Sequence, residues 1–195
     1  MAGWEYSEGA TTGAVVVADR SALAKVHVRA SATPEVISAL GTRFGRAVWV
    51  GDRLIVGSGP DEWLALGPPG QARTIADEVE SLVGAANSDP LTVIDLTHGR
   101  ALMRVSGAQT MSLLRRVTAV DLDDRLVPDG SALRTSVAGV VTDMIRDDHD
   151  GQPSFLLHCE RSSGLYLQTS LLAAGADLGA VAGGSSPAWP ESAHG

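Results

Sequence analysis

Apolar and polar side chains alternate along Val26-His27-Val28-Arg29, which is the period of a β-strand. Thr33-Pro34-Glu35 follows with an N-cap residue, a proline for the first helical turn and an acid near the positive end of a helix. Val36, Ile37 and Leu40 form the apolar side of that helix. Similar patterns predict a hairpin of strands at 47–50 and 54–56, a strand at 62–66, and a helix at 75–83 that ends at Gly84.

The second half of the chain repeats this order of elements. A strand at 101–105 and a junction at Ser106-Gly107 precede a helix with apolar positions 111, 114 and 117. The remaining predicted elements are a strand at 137–145 interrupted at Gly139, a turn at 147–151, a strand at 154–159, and a helix at 165–174 closed by Gly175. The pattern therefore predicts an α+β fold of two ferredoxin-like β-α-β-β-α modules. They are expected to share a core, because each alone is small.

The repeat also predicts the domain organisation. A flexible N-terminus at 1–22 precedes a single domain at 23–180, made of repeats at about 23–86 and 91–180 with a linker at 85–90. Residues 181–195 are expected to form a disordered tail, because their Gly, Ser and Pro content buries too little apolar surface. Trp189 in that tail is either an anchor for a partner or a passive residue.

Composition limits the classes of function. Lys and Arg number 15 against 23 Asp and Glu in 195 residues, so the formal charge is −8 and nucleic-acid binding is disfavoured. The N-terminus lacks a basic and apolar leader, and no window reaches the roughly 18 apolar residues of a membrane helix, so a soluble protein is expected. The single Cys159, in an apolar strand, cannot form an internal disulfide and fits a reducing, cytoplasmic compartment.

The chain holds no complete catalytic or metal-binding constellation. Its five histidines are scattered without metal-ligand spacing, so no metal is expected. Gly57-Ser58-Gly59-Pro60 is interpreted as a turn rather than a dinucleotide loop. Asp147-Asp148-His149-Asp150-Gly151 is interpreted as a hairpin turn rather than a calcium loop, since the closing glutamate is absent. The acids between Asp121 and Asp129 around Arg125 form either a hydrated connection or a contact for a basic partner.

Several short motifs resemble known proteins. Asp95-Leu96-Thr97-His98-Gly99-Arg100, followed by Val105-Ser106-Gly107-Ala108, resembles the folate-binding aminomethyltransferase fold of the glycine cleavage T-protein. In detail, Val127-Pro128-Asp129-Gly130, Arg134-Thr135-Ser136-Val137-Ala138 and Pro153-Ser154-Phe155-Leu156-Leu157 resemble the gamma subunit family of heterotetrameric sarcosine oxidases. The resemblance extends over roughly residues 23–178.

This resemblance implies a function for the assembly rather than for the chain alone. It implies a complex of alpha, beta, gamma and delta subunits that oxidises sarcosine to glycine and hydrogen peroxide, with tetrahydrofolate as the one-carbon acceptor. The implied FAD, FMN, NAD and tetrahydrofolate sites lie mainly in alpha and beta, and zinc lies in delta. In this family the gamma subunit is an accessory member, so this chain is expected to hold no cofactor and no catalytic residue.

The residues also support a non-catalytic interpretation. Where the T-protein pattern has adjacent aspartates, this chain has Thr142 and Asp143, and a threonine cannot replace a carboxylate base. The alternative is a stand-alone folate-binding or residual aminomethyltransferase-like protein in which His98, Arg134 and Asp143 face a pterin. A third hypothesis is an interaction module unrelated to one-carbon metabolism.

Overall fold

The computed structural model describes residues 14–86, 89–149 and 151–184. Its strands are β1 (Val15–Asp19), β2 (Ala24–Arg29), β3 (Ala47–Val50), β4 (Arg53–Gly59), β5 (Glu62–Gly67), β6 (Thr92–Asp95), β7 (Arg100–Ser106), β8 (Ala132–Val137), β9 (Val140–Arg146), β10 (Ser154–Glu160) and β11 (Ala180–Gly183). Its α-helices are α1 (Pro34–Leu40), α2 (Ala72–Ala86), α3 (Thr110–Val117) and α4 (Gly164–Ala174). Within these residues, no helix is long and apolar enough to cross a membrane.

The strands form two sheets, and each sheet corresponds mainly to one of the two sequence repeats. Sheet A has the order β11-β1-β7-β10-β9-β8, and sheet B has the order β3-β4-β5-β2-β6. Each repeat runs β-α-β-β-β-α, from β2 to α2 and from β7 to α4. The predicted α+β fold of two similar modules is therefore confirmed, with three strands rather than two between the helices of each module.

The strand that leads into each repeat belongs to the sheet of the other repeat. β1 pairs antiparallel with β7 in sheet A, and β6 pairs antiparallel with β2 in sheet B. The prediction of a flexible segment over 1–22 is therefore wrong at 15–19, where Val15 and Val17 are fully buried. The predicted repeat at 91–180 is likewise corrected, since β6 completes the sheet of the first repeat.

Two further boundaries differ from the prediction. The tail was expected to begin at 181, but β11 pairs in parallel with β1 through Gly183. The segment predicted as one strand at 137–145 is instead the last residue of β8, a two-residue turn at Ala138-Gly139, and β9. The sequence pattern did not separate the two strands because the turn is too short to interrupt the run of apolar residues. Gly84 lies inside α2 rather than ending it. Trp189, Asp150 and residues 87–88 of the predicted linker lie outside the described residues.

The two crossovers between sheets carry the same turn. Asp19 Oδ1 accepts a hydrogen bond from the Ser21 backbone N–H at 2.8 Å, and Asp95 Oδ1 accepts one from the Thr97 N–H at 2.8 Å. The Ser21 hydroxyl oxygen then accepts from the Leu102 N–H at 3.0 Å. Such Asx turns fix the direction of the chain where it passes from the strand that precedes each repeat into the other sheet.

Lys25, the only lysine of the sequence, joins both crossovers from inside the protein. Its backbone N–H donates to Thr97 Oγ1 at 3.1 Å. Its ammonium donates to the carbonyl oxygens of Ser21 at 2.8 Å, Leu23 at 2.8 Å and Thr97 at 3.1 Å. Burial lowers the pKa of Lys25 to about 8. The ammonium satisfies three carbonyls in a place that water does not reach.

The sheets pack face to face, with α1 and α2 outside sheet B and α3 and α4 outside sheet A. Side chains that face the other sheet recur at every second residue of a strand. On β10 these are Ser154, Leu156, His158 and Glu160, and on β7 they are Arg104, Leu102 and Arg100. Leucines thus form the middle of the layer between the sheets, and polar side chains form its two ends.

One polar end is closed. We call Trp49, Arg104, Asp147 and Ser154 the corner cluster. Trp49 Nε1 of sheet B donates to Asp147 Oδ1 at 2.9 Å. Arg104 donates to Asp147 Oδ2 at 2.6 Å and to Ser154 Oγ at 2.7 Å. Asp147 was expected in a solvated turn, but it is only 8% exposed because these donors enclose it.

Candidate functional site

The other polar end of the layer between the sheets is a cleft of about 390 Å³. Sheet A lines it with Arg100, Arg134, Asp143, His158 and Glu160, and sheet B lines it with His27, Ser58 and Glu62. Leu64, Leu96 and Val141 contribute apolar wall. The cleft is therefore polar and charged, and its floor adjoins the leucine core.

Asp143 lies at the centre of a row of three side chains across adjacent strands. It is opposite His158 on β10 and opposite Arg134 on β8. Asp143 Oδ2 lies 2.9 Å from His158 Nδ1, and Asp143 Oδ1 accepts from Arg134 Nε at 2.6 Å. Strand register alone brings these side chains onto one face, because directly paired residues point to the same side of a sheet.

The hydrogen bonds fix the charge states of this row. Burial favours a raised pKa for Asp143, but the hydrogen bonds and charges of His158 and Arg134 outweigh it and lower the pKa. Burial lowers the pKa of His158, against the opposing effect of Asp143. A neutral His158 therefore donates its Nδ1–H to an ionised Asp143, and its Nε2 carries a lone pair. Among the described residues, this buried Nε2 has no hydrogen-bond partner.

Glu62 faces this row from sheet B. Its Oε2 lies 4.0 Å from an Arg134 terminal nitrogen and 3.9 Å from His27 Nε2. Both distances exceed a direct hydrogen bond, so Glu62 and Arg134 face each other with charges only loosely paired. Burial lowers the pKa of His27. Arg100 and Glu160 add a close ion pair at 2.5 Å.

The structure brings together two of the three residues predicted to face a ligand. Arg134 and Asp143 share the cleft and a hydrogen bond. His98 lies in the turn between β6 and β7, is exposed, and does not line the cleft. The three residues therefore do not form one site.

The interpretation of residues 142 and 143 as the remnant of a carboxylate pair needs correction. Adjacent strand residues point to opposite faces of a sheet. Asp143 points into the cleft, whereas Thr142 is 1% exposed and its hydroxyl donates to the Val140 carbonyl at 3.0 Å. A carboxylate at position 142 would therefore lie on the helix side of sheet A, away from Asp143.

The other acidic segments do not converge on one site. Asp123 pairs with Arg125 at 2.8 Å, and Asp124 accepts from Arg146 at 2.6 Å. Across residues 14–86, 89–149 and 151–184, no group of three or more His, Cys, Asp or Glu side chains is arranged to hold a metal ion. Asp123 and Asp124 therefore take part in local ion pairs.

Sequence reasoning missed most of the cleft, including His158, His27 and Glu62. One sequence feature could have identified His158: it is the polar residue within the apolar strand Phe155-Leu156-Leu157-His158-Cys159. A polar side chain in a buried strand requires a partner or a function. No local pattern shows that β5 of one repeat faces β10 of the other.

Comparisons with known proteins point to one family. The model of the sarcosine oxidase gamma subunit family matches residues 25–177. The sarcosine oxidase subunit gamma of an Arthrobacter species is 32% identical over 145 residues, which are 69% of this chain and 68% of that protein. The same subunit from Corynebacterium sp. strain P-1 is 29% identical over 143 residues, with the same coverage.

Solved structures show the same fold. The heterotetrameric sarcosine oxidase from Corynebacterium sp. U-96, in complex with pyrrole 2-carboxylate, contains a chain that matches with a TM-score of 0.72 at 20% identity, covering 86% of this chain and 87% of that one. Aminomethyltransferase T of the Bartonella henselae glycine cleavage system matches with a TM-score of 0.67 at 16% identity, covering 89% of this chain and 49% of that one. The predicted T-protein-like fold is confirmed.

Proposed function

The chain belongs to the sarcosine oxidase gamma subunit family, and from this we propose that it is a non-catalytic accessory subunit of a heterotetrameric sarcosine oxidase. In this proposal the alpha, beta and delta subunits are its partners and hold the FAD, FMN, NAD, tetrahydrofolate and zinc sites. The assembly demethylates sarcosine to glycine, releases hydrogen peroxide and passes the one-carbon unit to tetrahydrofolate. The proposed compartment is the cytoplasm.

The observation that carries the non-catalytic role is the state of Asp143. Both of its oxygens already accept hydrogen bonds, from His158 and Arg134, and its pKa is lowered. A carboxylate with a depressed pKa, whose two oxygens each already take part in a hydrogen bond, is a weak proton acceptor. Asp143 is therefore suited to holding its neighbours in place rather than to removing a proton from a substrate.

Co-expression of the four subunits tests this proposal. The tagged chain is purified with alpha, beta and delta, and the flavin absorbance and peroxide formation from sarcosine are measured. The expected result is a yellow, active complex, while the chain alone is colourless and forms no peroxide. The matched control omits this chain, which should reduce the yield of assembled complex. A colourless lone chain after co-expression would overturn the proposal.

A stand-alone folate-binding protein is the alternative, and one observation favours it, since Arg134 and Asp143 line one cleft. Titration of the full-length chain with tetrahydrofolate separates the two functions. The accessory role predicts no saturable binding without the partner subunits, whereas the alternative predicts saturable binding that Arg134→Gln weakens and His98→Gln leaves unchanged.

A further inference from the structure

The cleft contains a buried polar atom that has no hydrogen-bond partner among the described residues. In the part of the chain that the structure describes, three buried side-chain nitrogen or oxygen atoms lack a hydrogen-bond partner, namely Arg53 Nε, Thr110 Oγ1 and His158 Nε2. Of these residues, His158 alone lines the cavity. Buried polar atoms are normally paired, so an unpaired atom beside a cavity points to a bound group.

The tautomer of His158 defines which group can bind there. Asp143 is ionised and lies 2.9 Å from Nδ1, so Nδ1 carries the proton and Nε2 can only accept. A group that binds Nε2 must therefore bring an N–H or O–H. The carboxylate of Glu62 lies on the opposite wall, and its negative charge favours a donor that is also a cation.

Arg134 supplies the complementary charge. Its Nε donates to Asp143, and its side chain is 52% exposed at the cleft, with a terminal nitrogen 4.0 Å from Glu62 Oε2. That separation leaves the guanidinium able to receive a carboxylate in the fork geometry that arginine favours. A volume of about 390 Å³ is at the small end of ligand pockets, which span roughly 300–1,000 Å³.

We propose that this cleft binds a small molecule carrying both a carboxylate and a protonated amine, with the carboxylate on Arg134 and the amine donating to His158 Nε2 and facing Glu62 on the opposite wall. Of the described residues that line the cleft, Leu64, Leu96 and Val141 are the apolar ones, and so small an apolar wall suits a small zwitterion better than a large aromatic ligand. The inference rests on the cleft alone and not on the accessory role, so either one can fail without the other.

Calorimetric titration of the full-length chain with matched probes tests the proposal. Glycine, β-alanine and 4-aminobutyrate share both charges at increasing separation, and at least one should bind saturably. The N,N,N-trimethyl form of the best probe keeps both charges but has no N–H. It should bind about tenfold more weakly or worse, because the charge-assisted hydrogen bond is lost. Acetate and methylammonium each lack one charge and should also bind more weakly.

Arg134→Gln should weaken the best probe by about tenfold or more, since the carboxylate loses its charged partner. Arg125→Gln is the matched control, because Arg125 is an exposed arginine that pairs with Asp123 outside the cleft. Nitrogen-15 NMR gives a second readout: saturation with the probe should shift the His158 Nε2 resonance and leave that of exposed His98 unchanged.

Three results would overturn the proposal. They are the absence of saturable binding by all three amino carboxylates, equal affinity for the trimethyl form, and an unmoved His158 resonance at saturation. If the first of these results is accompanied by saturable tetrahydrofolate binding, the cleft is assigned to the folate alternative.

Discussion

The corner cluster and the cleft use the same kinds of side chain and differ in how completely those side chains are paired. Asp147 and Asp143 lie four residues apart on the same side of sheet A, with Ile145 of the inter-sheet core between them. Each accepts a hydrogen bond from an arginine of sheet A: Asp143 from Arg134 on the adjacent β8, and Asp147 from Arg104 on β7, across the intervening β10. At Asp147, however, Trp49 of the other sheet closes the cluster, whereas at Asp143 the other sheet presents Glu62 across a gap.

This difference separates stabilising polar groups from functional ones. The corner cluster exchanges its hydrogen bonds only within the protein, so it holds the sheets together and excludes water. In the cleft, the buried His158 Nε2 has no partner within the part of the chain that the structure describes, and Arg134 is half exposed. Incomplete pairing costs free energy, and a ligand that completes it regains that free energy.

Asp147→Ala is expected to give the largest loss of stability. It removes the carboxylate that Arg104 and Trp49 Nε1 share, so the buried Arg104 guanidinium loses its ionic partner and keeps only neutral acceptors such as Ser154 Oγ. The free energy of unfolding should therefore fall by about 3–5 kcal/mol. Denaturant unfolding measures the change. Asp123→Ala is the control, since it removes a half-exposed aspartate that also pairs with an arginine and accepts from a backbone N–H of the same local turn, and a loss well below that of Asp147→Ala is expected. Equal effects of the two variants would contradict the closed character of the corner cluster.

Lys25→Met is expected to have the next largest effect, and it tests a buried ammonium that is held by backbone carbonyl oxygens rather than by a paired carboxylate. Three backbone carbonyls lose their donor, so the free energy of unfolding at pH 7 should fall by about 1–3 kcal/mol. The folded pKa of about 8 lies below the ordinary value of 10.5. Between these pH values the unfolded chain binds the extra proton, so the stability of the wild type should rise relative to the variant as pH increases.

The measurement is denaturant unfolding of both proteins from pH 7 to 10, taking the difference between them. Burial raises the pKa of Cys159 to about 11, which has the opposite pH dependence, but that contribution is common to both proteins and cancels. Because the sequence has one lysine, NMR of its Nζ reports the folded pKa directly. An unshifted lysine would refute the buried ammonium.

Local patterns predicted most of the fold and little of the cleft. Thr33 caps α1 through its hydroxyl at 3.3 Å, as its position before Pro34 indicates. The apolar run Ala14-Val15-Val16-Val17-Ala18 could have predicted β1, but nothing local shows that this strand crosses to sheet A. Asp143 and Arg134 were identified through a resemblance. The cleft depends on strand exchange and on the facing of two sheets, which are properties of the whole chain.

His158→Gln is expected to change how stability depends on pH. In the wild type the folded pKa of His158 lies below 6.5, so the unfolded chain binds the extra proton as pH falls through that value. The wild type should therefore lose stability below pH 6.5, by at most about 1.4 kcal/mol per pH unit for one proton. The variant should lose less. Denaturant unfolding at pH 5, 6 and 7 measures both slopes, with the same substitution at exposed His98 as the matched variant, and a wild-type slope in His158→Gln would contradict this origin of the pH dependence.

Arg134→Gln should have the smallest effect on stability. The side chain is 52% exposed and Asp143 keeps its contact with His158, so the free energy of unfolding should change by less than about 1 kcal/mol. The matched variant Arg104→Gln removes an arginine that also pairs with an aspartate, but it does so in the closed cluster and should destabilise the fold far more. Denaturant unfolding of the two variants at pH 7 compares the clusters directly. A similar loss of unfolding free energy in both variants would mean that the cleft is as important for folding as the corner cluster. Arg134 would then not be available to bind a ligand.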